Sequence, residues 1–269
     1  MYSNIIVTDL DGTFIDKNNY SAKVVAPIAK ALIKRGVVFV FCSSKTVEEQ
    51  RNIMDSIEIS LPCIVENGSG IYLPSSMSFL SGLPSEKTSD GGRLICLGEK
   101  IEIIREKIVN VSNSLGVDLK PYNNLSDQEL SSLSGLDLKG VERARNRHFS
   151  ETLTATLKPE LWREIVAMFN QMGLHCINGS RYYTVSSSNK GIACKLLLKD
   201  IQSICSEPYR TIGIGDSLND VDFLKLVDKA YLVQKSAGCW SEVDVPNIKR
   251  ISAIGPQGWI KSIEDVLCI

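Results

Sequence analysis

Apolar residues in the first quarter of the chain fall into short continuous runs, each closed by polar residues. The run from Ser3 to Leu10 is rich in β-branched side chains and ends in Asp-Leu-Asp-Gly, which predicts a buried strand stopped by a turn. Val37 to Ser43 is almost wholly apolar, as in a parallel strand covered on both faces, and Pro62 to Glu66 predicts a third strand closing on Glu66-Asn67-Gly68. Between them lie stretches of helical period. Ala22 to Arg35 carries Val24, Val25, Ile28, Leu32 and Ile33 at helical spacing and stops at Gly36; Pro27 either starts the regular helix near itself or kinks it. Thr46 and Glu49 have capping-box spacing, which predicts a helix over about Val47 to Ile57 with its first amides aimed at the end of the second strand. Strand, helix, strand, helix, strand is the alternation of an α/β sheet, in which ligands bind beyond the carboxyl ends of the strands.

This rhythm breaks between about Ser75 and Gly92, where Ser, Gly, Pro, Lys and Asp dominate, and a domain boundary is expected there. Beyond it the pattern predicts a short strand, Arg93 to Leu97, and a helix with Ile101, Ile104, Ile108, Val111 and Leu115 on one face, ended by Gly116. A polar stretch from Asn123 to Arg147 precedes a strand-like Glu151 to Lys158, a helix from Pro159 to Met172 and a strand from Tyr182 to Ser186. The chain returns to the sheet at Lys190, with a helix through Ile204 and a strand from Thr211 to Ile214 that ends in Gly-Asp-Ser-Leu-Asn-Asp. The expected organisation is a core in two parts, residues 1–82 and 188–269, around a mixed α+β insert over residues 83–187.

Composition narrows the function classes. A chain of 269 residues with 43% apolar and 23% charged residues is globular, not disordered. Thirty Lys and Arg against 31 Asp and Glu leave no excess positive charge for a nucleic-acid backbone, so no nucleic-acid partner is expected. No apolar run reaches the roughly 18 residues that span a bilayer, and the first residues run straight into a polar motif; no membrane association and a cytoplasmic location are expected. The eight cysteines form no CxxC pair and sit mostly in apolar contexts, so they are expected to be buried thiols. With only His148 and His175 present, acid–base chemistry falls to carboxylates or lysine.

Four sets of residues stand at predicted strand ends or helix starts: Asp9 with Asp11, Ser43, Lys190, and Asp216 with Asn219 and Asp220. Each alone has a plain explanation as a turn, a helix cap or a surface residue. Their order and their common sheet setting are what carry information. Asp9-Leu10-Asp11-Gly12-Thr13, Ser43, Lys190 and Gly215-Asp216-Ser217-Leu218-Asn219-Asp220 together resemble the four motifs of the haloacid dehalogenase superfamily phosphatases. The resemblance implies a Rossmann-like α/β core with a parallel sheet, an inserted cap of the larger α+β (C2B) type, and dependence on Mg2+.

The chemistry such a set supports follows from charge. A phosphate monoester is a dianion and repels an attacking carboxylate, so a divalent cation must neutralise both. Asp9 is the candidate nucleophile. Asp11, two residues on and directed to the same side of an extended segment, is the candidate acid for the leaving oxygen and then base for water. Asp9, the Asp11 backbone carbonyl and Asp216 make an oxygen set suited to Mg2+, with Asp220 orienting it from behind. Ser43, Lys190 and Asn219 are candidates for the phosphoryl oxygens.

Within the superfamily the chain is similar to one narrower group, the mannosyl-3-phosphoglycerate phosphatases. The matching stretches are Ser43-Ser44-Lys45-Thr46, Glu66-Asn67-Gly68, Arg145 to Glu151, Arg181 to Val185 and Tyr231 to Lys235. The implied substrate is a sugar joined to 3-phosphoglycerate, which adds a carboxylate and several hydroxyls to the phosphate. Lys45, Arg147 and Arg181 are the candidates for the carboxylate, since cations must meet it, and Ser150, Glu151 and Gln234 for the hydroxyls. Thr152, and Ser236-Ala237, depart from the group's usual pattern, and the sugar, mannosyl or glucosyl, stays open.

Overall fold

A computed structural model describes residues 3–77, 82–179, 182–204 and 208–267; Arg181, Cys205 and Cys268 lie outside these. The chain opens with β1 (Ser3–Thr8), α1 (Ala26–Lys34), β2 (Val38–Cys42), α2 (Val47–Ser56), β3 (Cys63–Val65) and β4 (Gly70–Leu73). Next come β5 (Glu86–Lys87), β6 (Arg93–Cys96), α3 (Ile101–Leu115), α4 (Asp127–Ser134), α5 (Leu138–Arg145), β7 (Ser150–Leu153), α6 (Pro159–Gln171), β8 (His175–Asn178) and β9 (Tyr183–Ser186). The last part holds α7 (Lys190–Ile204), β10 (Tyr209–Gly215), α8 (Val221–Leu224), β11 (Lys229–Gln234), β12 (Lys249–Ile254) and α9 (Gln257–Leu267).

Among the described residues nine strands form one sheet in the order β12-β11-β10-β1-β2-β3-β4-β6-β5, and β7-β9-β8 form a second, antiparallel one. From β12 to β3 every pairing is parallel, with β1 at the centre: Thr8 lies beside Ile214 on one side and Phe41 on the other. Asp9, Ser43 and Asp216 therefore leave neighbouring strands at one edge. Apolar side chains cover both faces. On one face Phe14 meets Phe41 at a tilt and Trp259 of α9 edge-on, in a cluster with residues of α1 and α2, while on the other Val7, Val40 and Ile64 pack against Cys194 and Leu197 of α7. The α/β class and its parallel core are as the alternating pattern predicts.

The boundaries of elements shift where local chemistry decides them. Pro27 sits in the first turn of α1, where its missing N–H removes no helical bond, so the helix begins at Ala26 without a kink. The capping box at α2 forms as the spacing predicts, with Glu49 N donating to Thr46 Oγ1 at 3.2 Å and Thr46 N to Glu49 Oε2 at 2.9 Å. The strand expected to open the insert, Arg93–Cys96, instead pairs with β4 and extends the large sheet past residue 82. The reason is its alternation: Leu94 enters the core on one face of that sheet and Ile95 on the other.

In the insert, α3 and α6 bury Ile104, Ile108, Val111, Trp162, Ile165 and Phe169 against the small sheet. The polar stretch holds two short helices that sparse apolar residues conceal. Ser126 and Glu129 form a capping box for α4, Asp137 Oδ1 caps α5 by accepting from Gly140 N at 2.7 Å, and Leu130, Val141 and Ala144 hold the pair together. The strand-like run at Glu151 ends at Leu153, and β8 has no apolar pattern in the sequence because half its residues are polar and exposed. The expectation of buried thiols holds for Cys42, Cys63 and Cys194; Cys96 and Cys239 are exposed and Cys176 half-buried, all six free. Among the described residues no helix is long and apolar enough to cross a membrane.

Candidate active site

Asp9 follows β1 directly, its amide still donating to Ile214 O at 2.9 Å before the chain turns through Leu10 to Ile15. The turn presses on the loop after β10: a Cβ at Gly12 would stand 3.1 Å from Asp216 Oδ2. Asp220 closes that loop by accepting the amides of Asp216 and Ser217 on Oδ2, each at 3.0 Å. As a result Asp9, Asp216 and Asp220, all buried, each bring a carboxylate oxygen within 4.8 Å of the others. Lys190, the first residue of α7, is 1% exposed and donates from Nζ to Asp9 Oδ1 and to Asp220 Oδ1, both at 2.7 Å.

The approach of α7 depends on Gly68. A Cβ there would lie 2.0 Å from Asn189 O and 2.6 Å from Lys190 N, and the residue has φ +90°, so an L side chain is excluded on both counts.

Three carboxylates face one ammonium in a dry space, and the ionisations record the imbalance. Burial pushes the Asp9 carboxyl well above its ordinary range, with the charges of Asp220 and Asp216 acting the same way and Lys190 opposing them. Burial, and then the Asp220 charge, push Asp216 up to about 7. Burial works against the Lys190 ammonium, but Asp220 and Asp9 outweigh it and hold that group above the usual lysine range. An all-oxygen cluster with excess negative charge fits a hard divalent cation.

Beside this cluster lies a cavity of about 130 Å³ between core and insert, lined by Asp11, Lys45, Asn67, Tyr122, Arg147 and Asn219 among others. The insert docks over it through direct bonds: Thr46 Oγ1 donates to Arg143 O at 2.9 Å, Tyr20 OH to Ser134 O at 3.2 Å, and Arg147 Nη2 to Ser44 O at 3.3 Å. Asn219 Nδ2 donates to Asn67 Oδ1 at 3.3 Å. Ser43 is buried at the end of β2, its Oγ accepting from Lys45 N at 3.3 Å.

The residues expected to meet the substrate separate here. Lys45 and Arg147 line the cavity. Lys45 Nζ, however, already lies 3.1 Å from Asp11 Oδ1 and 3.6 Å from Glu49 Oε1, under the Tyr20 ring. Burial opposes its charge, but Asp11 and Glu49 hold its pKa above the usual lysine range. Ser150, Glu151 and Gln234 are not among the lining residues. Ser150 Oγ is enclosed between Arg147 Nη1 and Glu66 Oε2, Glu151 pairs with Arg105 Nε at 2.8 Å inside the insert, and Gln234 is buried at the end of β11. The geometry adds residues without an assigned role: Glu49 behind Lys45, the rings of Tyr20, Tyr122 and Tyr182, and Glu66. In the sequence Glu66 stands in the Glu66-Asn67-Gly68 turn, Glu49 in the capping box of α2 and Tyr182 in the Arg181 to Val185 stretch, while Tyr20 and Tyr122 carry no signal.

The sequence profile of the haloacid dehalogenase-like hydrolases matches residues 6–237. A glucosyl-3-phosphoglycerate/mannosyl-3-phosphoglycerate phosphatase of Methanococcoides burtonii is 30% identical over 266 residues, 98% of this chain and 97% of its own. A mannosyl-3-phosphoglycerate phosphatase of Pyrococcus furiosus is 34% identical over 230 residues, 85% of this chain and 90% of its own. Among solved structures, a protein of Streptococcus mutans superposes with a TM-score of 0.68 at 20% identity, covering 99% of this chain and all of that one. With the motif residues gathered at one sheet edge and the profile spanning most of the chain, the protein belongs to the haloacid dehalogenase-like hydrolases.

Proposed function

We propose that this protein is a Mg2+-dependent cytosolic phosphatase that cleaves mannosyl-3-phosphoglycerate, or its glucosyl counterpart, to the sugar glycerate and free phosphate. The observation that carries the reading is a buried carboxylate, Asp9, held 2.7 Å from Lys190 Nζ in an acidic cluster, beside a cavity lined by Lys45 and Arg147. The relatives' names support the substrate class, since 30% identity extends over 98% of the chain.

In this reading Asp9 attacks phosphorus while the bond to the glycerate oxygen breaks, and Asp11 gives that oxygen a proton. Asp11 then takes a proton from water, whose oxygen attacks the phosphoryl group on Asp9 and releases phosphate. Lys190, with Ser43 and Asn219, bonds the phosphoryl oxygens as their charge redistributes. Arg147 faces the glycerate carboxylate, which suits a guanidinium's paired donors. Asp9, Asp216 and the Asp11 carbonyl would hold Mg2+, with Asp220 bracing the Asp216 loop. When bound, the ion supplies positive charge that lets two anions meet.

A phosphate-release screen with Mg2+ across mannosyl- and glucosyl-3-phosphoglycerate, sucrose phosphate and simple hexose phosphates tests this. The phosphoglycerates should exceed the hexose phosphates in kcat/KM by about tenfold or more, the worth of one charge-assisted contact. Equal values across the panel would refute the assignment of substrate.

Cation binding has a separate signature in stability. A carboxyl such as Asp216, whose pKa of about 7 when folded exceeds its unfolded value near 4, holds more protons folded than unfolded across that window. Without metal, stability therefore falls as pH rises from about 4 to about 7. Mg2+ is expected to raise the thermal midpoint strongly at about pH 8 and little at about pH 5, where it must displace protons. A rise of equal size at both would count against a carboxylate site.

A further inference from the structure

Glu66 is fully buried, yet no cation pairs with it among the described residues. Its oxygens accept from three neutral donors on the insert: His148 N at 2.9 Å, Phe149 N at 3.0 Å and Ser150 Oγ at 2.7 Å. Arg147 presents the complementary case. It is 9% exposed and lines the cavity, and its bonds go to neutral oxygens, Ser150 Oγ at 2.7 Å and Ser44 O at 3.3 to 3.4 Å. Its Nε is buried with no hydrogen-bond partner among the described residues.

A buried carboxylate and a buried guanidinium thus stand one hydroxyl apart. A serine hydroxyl has a single proton. With that proton given to Glu66, Ser150 Oγ can meet Arg147 only as an acceptor, so the carboxylate turns a lone pair toward the guanidinium and passes part of its charge along. Glu66 itself is held by the core: its amide donates to Lys45 O and the next amide to Ser43 O, each at 3.0 Å, with Glu66 and Asn67 at φ +49° and +56°. Non-glycine residues take that region at a cost, and here two do so in succession. The outcome is that the turn bearing the core's contacts to Ser43 and Lys45 also sets the segment bearing Arg147.

We propose that Glu66, acting through the Ser150 hydroxyl, is the positioning residue that holds Arg147 in the cavity, ready to take an anionic group of the substrate remote from the scissile phosphate. Had Glu66 paired with Arg147 directly, the guanidinium would be neutralised and a ligand carboxylate would gain little. The interposed hydroxyl orients the cation and leaves its remaining N–H groups and most of its charge for the ligand. The inference rests on the substrate reading above.

The test compares Glu66→Gln and Ser150→Ala with wild type on two substrates, mannosyl-3-phosphoglycerate and the same phosphate with a hydroxymethyl group in place of the carboxylate. Glu66→Gln sets an amide N–H against donors; Ser150→Ala spares the Glu66 bonds to the backbone and guards against a misfolded first variant. Both variants should raise KM for the carboxylated substrate about tenfold with kcat nearly unchanged, and shift the carboxylate-free substrate by less than about twofold. Equal losses on both substrates, or a Ser150→Ala enzyme with wild-type KM for the carboxylated one, would overturn the role of Glu66 alone. A wild type indifferent to the carboxylate would overturn the substrate reading and this inference together.

Discussion

Asp9→Asn is expected to reduce phosphate release to background while the protein stays folded. The amide keeps the volume of the carboxylate and an oxygen for Lys190 Nζ, now 2.7 Å from Asp9 Oδ1, so packing at the end of β1 survives. One of three crowded negative charges is removed, and with it the repulsion and desolvation that push Asp9 up. Unfolding should therefore occur at the wild-type temperature or above it. What disappears, in the proposed mechanism, is the nucleophile, since a neutral amide oxygen does not displace an alkoxide from phosphorus. Phosphate monoesters react so slowly unaided that nothing else in the site compensates. Two measurements check this together: steady-state phosphate release, and acid-quenched labelling, which should trap phosphoprotein from wild type and none from the variant. A variant retaining more than about one hundredth of the wild-type rate would mean that water attacks directly, and the covalent route would be abandoned.

How far this site was legible in the sequence depends on what each residue answers to. Asp9, Asp11, Asp216 and Asp220 follow β1 and β10, whose short apolar stretches over residues 5–7 and 212–214 predict buried strands, so their convergence at one sheet edge follows from parallel pairing. The insert is less legible because its contacts are made by side chains reaching between segments distant in sequence. Glu151 lies next to Ser150 on β7, yet the alternation of a strand sends it to Arg105 on α3, away from Arg147 and the cavity. Lys45 answers to Glu49, four residues on, and to Asp11, and only the folded approach of the start of α2 to the Asp9–Ile15 turn creates the second pairing. The helices α4 and α5 show the same limit in the fold: a small cluster of Tyr122, Leu130, Val141 and Ala144 suffices because Tyr20 and Thr46 of the core supply bonds to them. Arg93–Cys96 joins the large sheet although it follows the Ser- and Gly-rich loop, because such a loop marks a turn equally well within one sheet and between two.

Lys190→Met should cost both activity and stability, and the two losses can be separated. Methionine fills much of the same volume beside the Phe223 ring, 5.9 Å from Nζ, so the effect is electrical and not a cavity. Lys190 is 1% exposed, and its partners Asp9 and Asp220 are buried beside Asp216; without it three buried carboxylates lose the ammonium that faces them. Breaking a buried pair in this way destabilises by about 3–5 kcal/mol at neutral pH. The loss should shrink as pH falls, because the stranded carboxyls then protonate in the folded state and no longer carry the charge that burial penalises. Mg2+ should restore part of the stability by replacing the missing positive charge, but little of the rate, which requires a donor on the phosphoryl oxygens. Denaturant unfolding at about pH 5 and about pH 8 reads the first effect, phosphate release the second. Adding Asp220→Asn to Lys190→Met removes one stranded charge and should regain much of the stability while leaving the enzyme inactive. If Lys190→Met is instead as stable as wild type at about pH 8, the lysine does not neutralise this cluster, and the charge balance assigned to the site fails.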